Sequence, residues 1–260
     1  MSESSGTSLL QKARESVAAG MPAVVVTIVR GENSGAKLLW TSGGREGTLG
    51  GSELDDFAAD LAARALAEGS TGLQTLVEGI DVFVDLYALP PLLVIIGAVH
   101  VAQAIVPFAE RLGFTIVVAD ARATLATRER FPTVDKLLVA WPDDAYAQLP
   151  ISPSTAIVIL THDPKFDEPA ILGAMRTSAG YIGAVGSRKT NVDRRQRLLD
   201  AGATDADLNR LYGPIGLNIG GSSPEEMAIS ILGEIIAVRN GRSGGSLKAA
   251  RGGIRGGTSG

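Results

Sequence analysis

Residues 92–120, LLVIIGAVHVAQAIVPFAERLGFTIVVAD, decide the fold of this chain. An apolar run ends at Gly97, a helical pattern follows, and Asp120 closes the next apolar run 23 positions after the glycine. That is the layout of the first strand, helix and second strand of a dinucleotide-binding unit, in which the first turn approaches a pyrophosphate and the acid meets a ribose. Two of the three fingerprint glycines are absent, since Val99 and Ala102 stand in the second and third places. A branched side chain at the second place holds a pyrophosphate away from the amides that would cradle it. The layout specifies a Rossmann-like unit while counting against ordinary NAD binding. Pro107, two to three turns into the helix, removes a backbone hydrogen bond and is expected to kink or shorten it.

Downstream the pattern alternates, with strands expected near 92–97, 114–119, 135–140, 155–160 and 180–185. Alternation of this kind implies a parallel sheet with right-handed crossovers and helices on both faces. Ser223, Pro224 and Glu226 mark an N-cap, a first-turn proline and a capping-box glutamate, and the helix they open is expected to stop at Gly241. The glycine-rich 241–260 segment is expected to be a mobile tail.

Upstream, Pro90 and Pro91 mark a domain boundary. Before them come a helix capped by Thr7 or Ser8, strands at 23–30 and 37–41, a glycine turn (GTLGGSELDD), a helix at 52–68, and short strands near 74–77 and 82–87. The expected architecture is α/β: a small α+β N-terminal domain (1–89), a doubly wound Rossmann-like parallel sheet (90–240), and the tail.

Composition bounds the function. With 260 residues and 45% hydrophobic side chains the chain buries a sizeable core, and its formal charge of −4 argues against nucleic acid, which needs a concentrated positive field. Its 0 cysteines exclude disulfides, thiolate metal sites and a cysteine nucleophile. The start lacks the basic and apolar regions of a signal peptide and no apolar run is long enough to span a bilayer, so a cytoplasmic protein without membrane contact is expected.

Open parallel sheets bind ligands beyond the carboxyl ends of their strands. The unusual polar groups fall there: Gly97 and His100 after the first strand, Asp120 and Arg122 after the second, Trp141 after the third, Thr161, His162 and Asp163 after the fourth, and Gly186, Ser187, Arg188 and Lys189 after the fifth. A rim histidine is more often structural than functional, although both histidines of the chain fall on this edge. Asp120 can merely cap a turn. Ser187, Arg188 and Lys189 can be the solvated start of a helix running on through Asp193, Arg194, Arg195 and Arg197, yet a serine cap, exposed amides and two cations also make an anion site. In the first domain, Glu53, Asp55 and Asp56 read as first-turn acids that complement the helix dipole rather than as metal ligands.

Four segments carry a resemblance to a known family: VIIGAVHVAQAI with VVADAR, ILTHDPKFDEPAIL, YIGAVGSRKT, and GPIGLNIGGSSPEEMAISILGEIIA. Residues 92–238 resemble the XdhC/CoxI family of molybdenum-hydroxylase maturation factors, and the first domain resembles the family's N-terminal segment more loosely. The resemblance implies binding of molybdenum cofactor, as molybdopterin or its dinucleotide form. It also implies protection of the cofactor while a cysteine desulfurase supplies its sulfido ligand, and delivery to a xanthine dehydrogenase or carbon monoxide dehydrogenase type client. The cofactor's phosphates would suit the rim at Ser187, Arg188 and Lys189. The chain departs from the family at Val99 and Ala102, where members commonly carry glycine, and at Ser52, where many carry cysteine.

The expectation is an accessory protein rather than an enzyme, with no catalytic residue or metal ligand assigned and a homodimer plausible. The alternatives are a scaffold that docks to the hydroxylase or desulfurase without binding the cofactor, and an NAD(P)-dependent oxidoreductase using His100 or His162 as general acid.

Overall fold

The computed structural model describes residues 3–161 and 163–249, with side chains described from Leu9 onward except at Pro164. The chain divides into two compact units at Leu89/Pro90.

In the first unit, α1 (Glu3–Ala18) precedes the strands β1 (Ala23–Arg30), β2 (Lys37–Thr41) and β3 (Gly44–Gly47). Helix α2 (Ser52–Glu68) and the strands β4 (Gly72–Val77) and β5 (Ile80–Tyr87) complete it. The strands form an antiparallel sheet in the order β3-β2-β1-β5-β4. Period-two alternation assigns the two faces. Val24, Val26, Ile28, Leu38, Val82 and Val84 pack on Ala58, Leu61, Ala62 and Ala65 of α2, while Ala23, Val25 and Leu39 pack on Leu9 and Ala13 of α1. Helix α1 begins at Glu3, so Thr7 and Ser8 lie within it rather than capping it.

The acids at the start of α2 do more than complement its dipole. Asp55 is buried and its Oδ1 accepts the Leu49 amide at 2.6 Å, pinning the glycine turn, and Asp56 pairs with Arg45 at 2.5 Å.

The second unit alternates strand and helix. Strand β6 (Leu92–Ile96), helix α3 (His100–Arg111), β7 (Thr115–Ala119) and β8 (Lys136–Leu138) make its first half. Helix α4 (Pro142–Tyr146), β9 (Ala156–Ile159), α5 (Pro164–Met175), β10 (Tyr181–Ala184) and α6 (Arg188–Asp200) follow. The short α7 (Asp205–Leu208), β11 (Leu211–Tyr212) and the long α8 (Pro224–Arg239) end it.

Its sheet is parallel in every pair, in the order β11-β10-β9-β6-β7-β8. Counted within this unit, that is the 3-2-1-4-5-6 order of the doubly wound dinucleotide fold, with its reversal between β6 and β9. Both faces are covered, which is why the central strands read as unbroken apolar runs. Leu93, Ile95, Ile116, Val118 and Val158 face α3 and α8, whereas Val94, Ile96, Val117, Ile157 and Ile159 face α4 to α7.

Helix α3 runs through Pro107 to Arg111, with Ala102, Ile105, Val106 and Ala109 buried. Packing of that stripe outweighs the lost hydrogen bond, so the helix does not stop at the proline. Helix α8 opens with the expected capping box between Ser223 and Glu226. Beyond it, Gly244 lies against Leu217 and Ala237, and residues 250–260 are outside the described residues. Among the described residues no helix is long and apolar enough to cross a membrane.

Candidate functional site

The rim at the carboxyl ends of the parallel strands is built around the turn after β6. Gly97 holds φ at +108°, a conformation only glycine adopts without strain, and a Cβ there would meet Thr161 Cγ2 at 3.0 Å and Thr161 N at 3.2 Å. The glycine therefore lets two loops touch where the strand order reverses. Ala98 is then clamped from two sides. Its amide donates to Asp120 Oδ2 at 2.8 Å, and its carbonyl accepts from Arg130 Nη1 at 2.7 Å. Arg130 is itself held by the Leu125 carbonyl at 2.8 Å and by Gln103 at 3.1 Å.

Asp120, at 5% exposure, is engaged on both oxygens. Besides the Ala98 amide it accepts the Arg122 backbone amide at 2.9 Å, and the Arg122 guanidinium closes a fork at 2.9 Å (Nε) and 2.7 Å (Nη2). Burial pushes the Asp120 carboxyl up, but the bonds from Arg122 and Ala98 together outweigh it and hold the group below the ordinary value of 3.8. Hydrogen bonding to Asp120 in turn raises Arg122. The fork uses two of the five donors a guanidinium carries, and 45% of the Arg122 side chain stays exposed.

Arg122 lines a cleft of about 340 Å³ together with Val99, Leu160, Thr161, Asp163 and Phe166. Asp163 caps α5 by accepting the Lys165 amide at 3.0 Å. Phe166 stacks on Trp141 with ring centroids 4.8 Å apart and planes 13° from parallel, and the Arg122 guanidinium carbon sits 5.9 Å from the Phe166 centroid. Trp141, which follows β8, is thereby tied to the cleft while remaining 51% exposed.

The wall behind the cleft is ionic and buried. The Thr161 hydroxyl donates to Asp167, whose other oxygen accepts Arg194 Nη2 at 3.0 Å; the two charged side chains are 5% and 3% exposed. Arg194 also donates to Asn191 Oδ1 at 2.7 Å, and Asn191 Nδ2 donates to the Ser187 carbonyl at 3.0 Å. This chain of bonds joins the loop after β9 to the start of α6. The start of α6 is exposed from Ser187 to Thr190, while further along its charged run Arg194 faces inward.

Of the expected residues, Gly97, Asp120, Arg122, Thr161 and Asp163 come together at the reversal of strand order. His100 is the first residue of α3 and exposed. His162 lies outside the described residues. Gly186, with φ at +144°, precedes Ser187, whose hydroxyl caps α6 by accepting the Thr190 amide at 3.0 Å. Arg188 and Lys189 are exposed in the first turn of α6, one strand over, and do not line the cleft. Sequence reading missed Phe166, Asp167, Asn191, Arg194 and Arg130. Asp167 and Arg194 carried a signal, since each stands four residues before a buried aliphatic, Ile171 and Leu198. Among the described residues no cluster of three or more His, Asp or Glu side chains can hold a metal ion.

Residues 93–235 match the model of the XdhC Rossmann domain, and residues 16–77 match that of the XdhC and CoxI family. The chain belongs to the XdhC and CoxI family. It is 31% identical over 159 residues to a probable xanthine dehydrogenase subunit of Bacillus subtilis (strain 168), covering 61% of this chain and 46% of that protein. It is 29% identical over 121 residues to the molybdenum cofactor insertion chaperone PaoD of Escherichia coli (strain K12), covering 46% of this chain and 37% of that one. The chain thus spans less than half the length of these curated relatives. The crystal structure of a xanthine dehydrogenase from Bacillus halodurans superposes with a TM-score of 0.54 at 20% identity, covering 93% of this chain and 98% of that one. That likeness supports the fold alone.

Proposed function

We propose that this protein is a maturation factor that holds molybdenum cofactor at the rim of its second unit, supports its sulfuration by a cysteine desulfurase, and passes it to a molybdenum hydroxylase. The observation that carries the reading is the match of residues 93–235 to the XdhC Rossmann domain, joined by the similarity to an insertion chaperone. The donor set agrees with it. Phosphates suit exposed cations beside the first-turn amides of helices, as at Arg188 and Lys189 on α6, and the outer donors of Arg122 suit an anionic or carbonyl-rich edge. Bound there, the cofactor brings the metal centre that the client uses. The chain's own part is to hold and shield it. Because the chain has 0 cysteines, sulfur must come directly from a partner.

The test is anaerobic equilibrium dialysis with molybdenum cofactor, with activation of a co-expressed hydroxylase as the second readout. Saturable binding and a rise in client activity are expected, both reduced in Arg188→Ala/Lys189→Ala. Absence of both would sink the reading. Client activation without cofactor binding would instead favour the scaffold role, which the loss of glycine at Val99 motivates.

A further inference from the structure

The antiparallel sheet of the first unit ends in two different ways. At one edge, β3 (GREG) is four residues long and carries a paired charge toward each face: Arg45 meets Asp56 of α2 at 2.5 Å, and Glu46 meets Lys12 of α1. Short strands and charged side chains are how natural sheets keep a free edge from pairing with another chain. The opposite edge has no such guard. Strand β4 (GLQTLV) is six residues long, has no charge and no proline, and is bonded to β5 alone. The irregularity in that pairing lies between Thr75 and Val77, next to the turn into β5, so Gly72 to Thr75 form a regular free edge. Apolar groups also stand in solvent on both sides of it. Phe57 of α2 is 44% exposed on one face, and the cross-strand neighbours Leu73 and Phe83 are 67% and 42% exposed on the other.

A groove of about 580 Å³ runs between α2 and this edge, where Phe57, Asp60 and Arg64 of the helix face Gln74, Thr75 and Leu76 of the strand. Asp60 and Arg64 are exposed, and among the described residues neither makes an ion pair. Two opposite charges beside a free strand are self-complementary. A two-fold axis near Gln74 and Thr75 that pairs β4 antiparallel with its copy also sets α2 antiparallel to its copy, so that Asp60 of each faces Arg64 of the other. We infer that two copies of this chain associate through β4, joining their five-stranded sheets into one continuous antiparallel sheet. The free N–H and C=O groups of the edge supply main-chain bonds, and the two Asp60–Arg64 contacts fix register and partner choice. Burial of Phe57 and Leu73 adds an apolar contribution. A second copy fits this groove better than an unrelated extended segment, because the groove presents both signs of charge in the order its own two-fold image matches. The association does not depend on the cofactor-holding reading.

The test is sedimentation velocity of the full chain across micromolar concentrations, with hydrogen exchange followed at both edges of the sheet. A monomer–dimer equilibrium is expected, in which exchange at residues 72–77 slows as concentration rises while exchange at residues 44–47 does not. Asp60→Arg and Arg64→Asp, studied separately, each set like charges against one another twice per dimer and should weaken association about tenfold or more. Both positions are exposed, so the urea midpoint of each variant should stay near that of the parent. Mixing the two variants should restore a dimer, as should Asp60→Arg/Arg64→Asp in one chain, because opposite charges then face each other again. A chain that stays monomeric at every concentration overturns the proposal and leaves the edge to an extended segment of another protein. A dimer indifferent to both single variants, or one that mixing does not restore, overturns the pairing through β4 although two copies associate.

Discussion

Two aspartate–arginine pairs lie within the same rim and behave as opposites. Asp120 and Arg122 sit at the end of β7, with the acid buried and the base 45% exposed. Asp167 and Arg194 join α5 to α6, with 5% and 3% exposed. Both acids also accept a second donor, the Ala98 amide in one case and the Thr161 hydroxyl in the other. What differs is where the guanidinium finishes. An arginine closed off from solvent can only hold the frame, whereas one anchored at its inner edge and open at its outer edge presents fixed donors to a ligand. The fold thus uses one chemical pairing for two purposes, and burial of the base decides which.

Removing the interior base should have the largest effect. Arg194→Ala takes the guanidinium away from Asp167, which is 5% exposed, and is expected to destabilise the second unit by about 3–5 kcal/mol, read as a lower midpoint in urea. Arg194→Met together with Asp167→Leu should recover much of that loss, because both buried charged side chains are replaced together by apolar ones of similar size. If Arg194→Ala were no worse than a typical surface change, the distinction between the two pairs would collapse.

Gly97→Ala comes next. The new Cβ meets Thr161 at 3.0 Å and the backbone is held at φ +108°, so about 1–3 kcal/mol is expected, together with a changed fluorescence of Trp141 because the loop after β9 must move. An unchanged urea midpoint would mean that the turn after β6 has freedom its geometry denies.

Asp120→Asn tests the rim pair and should fall below both, at about 1–2 kcal/mol near neutral pH, because solvent already screens its partner. Its pH signature is sharper than its size. Asp120 has its folded value lowered beneath the ordinary 3.8, so its stabilising contribution is present above the unfolded value and lost as pH falls through the folded one. Urea midpoints measured from neutral pH downward should decline less steeply in Asp120→Asn than in the parent over that acid window. Parallel curves would show that the fork contributes no linkage.

How much of this was legible depended on where each residue's decisive neighbour lies. Strands such as β6 and β9 are buried on both faces, so their sequence is apolar throughout and local pattern suffices. Strand β3, GREG, is exposed at every position, and β11 is two residues long; both exist because a neighbouring edge is available to pair with, which composition does not record. The Gly97 turn and the Asp120 end of β7 follow from a local spacing and were visible. Phe166, in the first turn of α5, and Trp141, just ahead of α4, meet only in the folded chain, and Arg194 lies in a run of arginines that differ in direction rather than in chemistry. Helical phase with Leu198 separates it from Arg195, but only once burial of that face is known.

The smallest effect on stability is expected where the largest effect on binding is proposed. Arg188 and Lys189 are exposed at the start of α6, whose cap is made by Ser187 and not by either cation. Their joint replacement by alanine should leave the urea midpoint within about 0.5 kcal/mol of the parent. Phosphate-bearing ligands should nonetheless bind more weakly, and the gap between parent and variant should close with added salt as the Debye length falls from ~8 Å at 0.15 M to ~3 Å at 1 M. The contrast with Arg122 then becomes a measurement: a guanidinium fixed by a buried carboxylate and half shielded should keep more of its contribution at high salt than two freely solvated cations do. Equal salt sensitivity of Arg122→Ala and of Arg188→Ala/Lys189→Ala would show that anchoring by Asp120 confers nothing on binding, and the two purposes assigned to the two pairs would reduce to one.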